Sequence, residues 1–185
     1  SEHVLAKLLG GKMKKVLVGI IVFLVIIFLL LLQINLLNVV TLFGASANIG
    51  IILVSIIGVM CGTTVGIMVG SSYGLMVDII AGKSIGLYML LYMLLGYLCG
   101  KVGKGFSKES KMTMTIITVI ATALFEIATY VVCIMVYKYE KSFIMLIFTI
   151  LKEAIYNMII ALILFKPLSV LAEIINKSKD SYYLL

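Results

Sequence analysis

Between residues 49 and 81 the chain carries one charged side chain, Asp78, in a stretch otherwise made mostly of isoleucine, valine, methionine, glycine and small hydroxyl residues. As one α-helix rising about 1.5 Å per residue it would extend roughly 50 Å, far beyond the ~30 Å of bilayer hydrocarbon. Composition decides what surrounds such a run. The 185 residues are 63% hydrophobic and 12% charged, with a mean hydropathy of +1.26. Soluble domains are about 45–50% apolar and about 25% charged. A chain this short leaves too much surface exposed to hide that excess in water. The solvent is lipid, and the 49–81 stretch must fold back on itself. Gly62-Thr63-Thr64 is the place for the turn, which gives short spans near 48–61 and 65–80.

The same reasoning places further spans near 16–32, 85–100, 113–136 and 143–165. The expected fold is an all-α polytopic membrane protein with six transmembrane helices. Residues 1–12 precede Met13, which resembles a natural start, and are set aside as an expression scar or flexible segment. Residues 13–166 form the membrane domain, and 167–185, opened by Pro167, form an amphipathic tail. The run at 16–32 exceeds a signal-peptide core and is read as a retained span. Gln33, Asn35, Asn38 and Thr41 suit an interfacial or re-entrant connection.

Every basic residue is lysine. Six spans place 1–15, 101–111 and 166–185 on one side, with eleven lysines against three (Lys83, Lys138, Lys141) on the other. Lysine concentrates on the cytoplasmic side, so both termini are expected there. The net charge of +7 is therefore topology, and no basic helix or aromatic platform suggests nucleic acid. Cys61, Cys99 and Cys133 stand alone in apolar stretches, without disulfide or metal spacing.

Glycine recurs at every fourth position from 58 to 74. In a soluble helix each costs about 1 kcal/mol relative to alanine. In lipid, small-xxx-small spacing lets backbones approach closely. Gly58, Gly62, Gly66, Gly70 and Gly74, with Gly96 and Gly100, are thus helix-packing or partner-interface candidates: internal packing, or a groove for another protein's helix. The third span is the expected packed centre. Charges inside spans are site candidates. Glu126 and Lys152 fall at similar depth, where a pair would spare each an unpaired burial; Thr115, Thr118, Thr122, Glu126 and Thr129 form a stripe, and Glu153 and Asn157 share a face. This polar seam is either a lock between the last two helices or a relay or ligand pocket. Asp78, with Gly82 and Gly86, marks an outer turn, where it caps or meets solvent. Gly70-Ser71-Ser72-Tyr73-Gly74 matches G-x-S-x-G, but the sole histidine is His3. Ala81-Gly82-Lys83-Ser84 lacks the P-loop's first glycine, having Val77 there. No catalytic set, metal site or cofactor site is expected.

The stretch GIMVGSSYGLMVDIIAGKSIGLYMLLYMLLGYLCGKVGKGF, residues 66–106, resembles the bacterial rod shape-determining MreD family. The likeness rests on Gly70, Gly74-Leu75, Asp78, Gly82, Gly86-Leu87, Tyr92 and Gly96-Tyr97 before a basic loop. Residues 151–165 resemble the family's last span. The chain departs from the pattern at Asn48-Ile49-Gly50, where a proline is expected, and at 62–64, where basic residues are. The resemblance implies a non-enzymatic inner-membrane scaffold of the elongation and peptidoglycan-synthesis machinery that binds MreC. RodA, a class B penicillin-binding transpeptidase and MreB are the further implied partners. It also implies a fold similar to the membrane substrate-binding subunits of energy-coupling-factor transporters. The alternative function is therefore the binding of a small vitamin-like molecule.

Overall fold

The computed structural model describes residues 2–37, 47–81, 86–105, 110–137 and 142–180. These form six α-helices: α1 (Glu2–Leu32), α2 (Ile49–Cys61), α3 (Thr63–Ala81), α4 (Leu87–Val102), α5 (Lys111–Tyr137) and α6 (Phe143–Asp180). A π-turn, Gln33–Leu37, ends α1. Helix is what lipid demands, because each backbone N–H and C=O must find its partner within the segment. Four helices are long and apolar enough to cross a bilayer, over Val16–Asn35, Thr63–Ile80, Lys111–Met135 and Phe143–Ser178. The other two, α2 and α4, are shorter, at 13 and 16 residues.

Contacts between neighbours fix the helix directions. Gly66, Gly70 and Gly74 lie against Gly96, Tyr92 and Tyr88 respectively, so α3 and α4 are antiparallel. Gly58 meets Gly66, and Gly50 meets Tyr73, so α2 and α3 are antiparallel too. Asn48 bonds Asn157 and Met60 bonds Asn176, which makes α2 and α6 parallel. The helices alternate in direction, and the start of α1 and the end of α6 lie at one end of the bundle.

The centre is α2. All its residues but Met60 are buried. In lipid an all-apolar surface alone does not decide this, since the span of α1 is as apolar and largely exposed; α2 is central because other helices cover every side of it. The glycine-rich third span, the expected centre, instead keeps Met68, Leu75, Ile79 and Ile80 exposed. Its glycines mark where it touches a neighbour, and they do not measure how deeply it lies.

The expected break at Pro167 is absent. Helix α6 runs through it. Leu168, Leu171, Ala172 and Ile175 are buried, at i, i+3, i+4 and i+7. The Cys61 thiol lies 3.5 Å from the Ala172 carbonyl, which seats this stripe on α2. The amphipathic pattern was genuine, but its apolar face packs onto the bundle and does not form a separate tail. The backbone of residues 2–12 is likewise helical and continuous with α1.

Candidate functional site

Two features join the helices: a backbone seam made of glycine and a polar layer that includes a contribution from every helix. The seam runs along α3 and α4. A Cβ placed on Gly70 would fall on the Tyr92 carbonyl, 2.8 Å from its carbon. On Gly74 it would stand 2.6 Å from Met89 Cα, and on Gly66 it would strike the Gly96 carbonyl. Gly96 faces Gly66 in return, and a Cβ on Gly100 would be 2.5 Å from the Thr63 nitrogen. Gly58 brings α2 to the same place, with a Cβ there 3.1 Å from Cys99 Cβ. The obstacles are mostly main-chain atoms, which have nowhere to go.

Gly62 does different work. A Cβ there would meet nothing within 4 Å, but its φ is +88°. It is the single residue between α2 and α3, with ψ near 180°, a backbone region that is essentially glycine's alone and costs other residues on the order of 1–3 kcal/mol. Gly86 has φ +104° and begins α4. Gly82 lies outside the described residues. Sequence reasoning missed Gly103, where a Cβ would come 2.7 Å from Val59 Cα, and Gly50, whose place is filled by the Tyr73 ring. Neither continues the four-residue ladder.

Asp78 caps α4 from the end of α3. One carboxyl oxygen accepts the N–H groups of Gly86 and Met89 at 2.9 and 3.0 Å, and the other accepts that of Tyr88 at 3.0 Å. The side chain is fully buried. Glycine at the N-cap has no side chain to offer the orphan N–H groups of a helix start, so a residue eight positions earlier supplies the acceptor.

The polar layer forms around the start of α2, a helix N-terminus whose first N–H groups have no acceptor within the helix. Asn157 of α6 accepts the Asn48 N–H at 2.8 Å. Gln33, after α1, accepts the Ile49 N–H at 3.0 Å. The Asn48 side chain accepts the Ile51 N–H at 3.3 Å. The second shell of bonds recruits the remaining helices. Tyr73 of α3 donates to Gln33, Tyr92 of α4 donates to Asn48, and Asn157 donates to Thr122 of α5, each at 2.8 Å. Thr122 in turn donates to the Thr118 carbonyl at 2.9 Å. Aromatic contacts reinforce the level: Tyr73 meets Tyr92 edge-on at 5.1 Å, and Tyr92 meets Phe125 at 4.5 Å.

The four residues of the expected polar seam divide. Asn157 is fully buried and inside the layer. Glu126 and Glu153 each lie one helical turn from the Thr122–Asn157 pair, on α5 and α6, and Lys152 precedes Glu153 in the chain. All three are half-buried. Gln33, Asn48, Tyr73 and Tyr92 were not singled out for the layer by sequence. Asn48 had a readable signal: asparagine immediately before an apolar run is a preferred N-cap. The tyrosines had none, since a hydroxyl in an apolar helix does not announce its acceptor.

The bonds of the layer run between side chains of different helices and to backbone, an arrangement that holds helices in register. Beside it, among the described residues, the buried Thr129 and Tyr156 hydroxyls have no hydrogen-bond partner. Among the described residues no group of His, Cys, Asp and Glu has the placement to hold a metal ion. Asn157→Leu is expected to leave the Asn48 N–H without its acceptor and to cost about 1–3 kcal/mol. The thermal midpoint of the detergent-solubilised chain should fall accordingly, while Thr149→Val, on the exposed part of α6, should leave it in place. Equal midpoints for the two variants would show that the layer bears no weight.

Fold and site together define a polytopic helical membrane protein whose helices are tied by a glycine seam and a layer of inter-helix hydrogen bonds. The family profile described as rod shape-determining protein MreD matches residues 13–175, and the chain belongs to that family. The family's role is in rod-shape determination. No curated protein and no solved structure gives a significant match.

Proposed function

We propose that the chain is a non-enzymatic scaffold of the cell-elongation, peptidoglycan-synthesising machinery, holding MreC within the membrane. In this reading all six helices cross the cytoplasmic membrane, with both termini on the cytoplasmic side. RodA, a class B penicillin-binding transpeptidase and MreB belong to the same assembly. Membership in the rod-shape family supports the setting. The observation that carries the scaffold reading is the inter-helix polar layer: Asn157, Asn48, Gln33 and Thr122 bond to one another and to backbone. The outward faces of α1, α5 and α6 are by contrast apolar, with residues such as Phe23, Ile116 and Ile155 exposed. Such a molecule meets partners through its membrane-facing sides. The alternating helix directions and the lysines near the shared end of α1 and α6 support the topology.

The vitamin-binding alternative needs polar groups turned into a cavity. The groove between α1 and α3, about 350 Å³, and that between α4 and α5, about 300 Å³, have largely apolar walls and give it no support. The test is co-purification. Detergent-solubilised chain is expected to retain MreC through affinity capture and size exclusion. Recovery of the well-folded chain without MreC, from cells making both, would overturn the scaffold reading.

A further inference from the structure

The groove between α4 and α5 has a feature that composition alone does not show. Its floor is Leu95, Cys99, Ile117 and Ala121, all buried. Its rim, including Ile120, is exposed and apolar. Ala121 gives the floor its depth, because the residues around it are larger. The groove runs toward the α4–α5 connection, where Thr113 lines its end. That connection, residues 101–111, carries four lysines against one acid, Glu109. Lys101, Lys104 and Lys111 are exposed there, and the Lys101 ammonium sits 5.9 Å from the Tyr97 ring centroid.

We propose that this groove is a binding site for a single anionic phospholipid, with one acyl chain between α4 and α5 and the phosphate headgroup among Lys101, Lys104 and Lys111. The groove's volume is about 300 Å³. At about 30 Å³ for a group the size of water, that holds roughly ten methylenes. Charge selects among lipids, since clustered lysines at the membrane surface favour an anionic headgroup. The start of α5 adds to this: Ser110 satisfies the Thr113 N–H at 3.3 Å, and the helix begins with Lys111 and no acidic residue in its first turn. A helix N-terminus favours negative charge.

The test uses the full chain purified in detergent and offered phosphatidylglycerol and phosphatidylcholine of matched acyl chains at equal mole fraction. Native mass spectrometry reads the lipid retained. Phosphatidylglycerol is expected to be held over phosphatidylcholine by about tenfold, from the lysines' attraction for an anionic headgroup. The triple variant Lys101→Gln, Lys104→Gln, Lys111→Gln changes only exposed side chains and should bring the two lipids level. Ile120→Trp, on the exposed rim, should fill the groove and lower retention of both. Equal retention by the unaltered chain would overturn the proposal, as would a preference that survives the triple variant or retention unchanged by Ile120→Trp. None of these readouts involves MreC, so the lipid site and the scaffold reading stand or fall separately.

Discussion

Gly70→Leu is expected to remove most of the folded chain from the detergent extract, and Gly74→Leu to do nearly the same, while Gly19→Leu leaves recovery unchanged. The three positions are all helical glycines in apolar sequence and differ only in what lies beside them. A Cβ on Gly70 meets the Tyr92 carbonyl, and one on Gly74 meets Tyr88 and Met89 backbone. A Cβ on Gly19 meets nothing within 4 Å. Overpacking against side chains costs about 1–3 kcal/mol because rotamers can adjust. Backbone carbonyls inside a helix have no rotamers, so α3 and α4 must separate. Lipid tails are as apolar as leucine, so no hydrophobic force pulls the helices back together, and the lost close contact is the association energy itself. Separation also removes the Gly66–Gly96 approach and strains the Asp78 cap. Folded material, read as the monodisperse peak on size exclusion, should fall several-fold or more for Gly70→Leu. Gly70→Ala should already lower the thermal midpoint, because the collision begins at Cβ. Equal recovery for Gly19, Gly70 and Gly74 variants would overturn the backbone-contact account.

The sequence carried the seam because glycine has one reason to recur every four residues in lipid. Spacing fixed which residues share a face, and Gly66, Gly70 and Gly74 do meet α4. It did not carry depth. That α2, with only two glycines inside it, would be the buried centre follows from its lack of any lipid-facing side. This becomes visible only when all six helices compete for the interior. It also failed at Pro167, where a residue that starts helices in water sits inside one. The fate of the missing N–H depends on neighbours that sequence does not name. The polar layer was half legible for the same reason. Thr118 and Thr122 align by helical period on α5, and Asn157 shares a face with Glu153 on α6. Their joining to Asn48, Tyr92, Gln33 and Tyr73 depends on contacts between residues up to 109 positions apart.

Asp78→Ala is the second large effect, and it tests whether the cap and the seam are one device. The substitution leaves the N–H groups of Gly86, Tyr88 and Met89 without the carboxyl oxygens that now accept them. Each unsatisfied buried donor costs about 1–3 kcal/mol. Reorganisation of the helix start recovers part of that. The loss of a favourable group at the positive end of α4 adds to it. A drop in thermal midpoint on the order of 10 °C is expected, from a few kcal/mol at about 2–4 °C each. Asp78→Asn should fall between, since the amide keeps one acceptor oxygen but presents a donor where the second accepted. Asp78 lies one turn beyond Gly74, and Gly74 rests on the backbone of Tyr88 and Met89, two of the residues whose N–H groups Asp78 holds. Once α4 has lost its fixed start, an added methyl at Gly74 has less left to break. The double variant Asp78→Ala, Gly74→Ala should therefore lose less than the sum of the single losses, whereas Asp78→Ala with Ser169→Ala, on a distant helix, should be additive within about 0.5 kcal/mol. Strict additivity in the first pair would separate the cap from the seam and leave Asp78 as a helix end and nothing more.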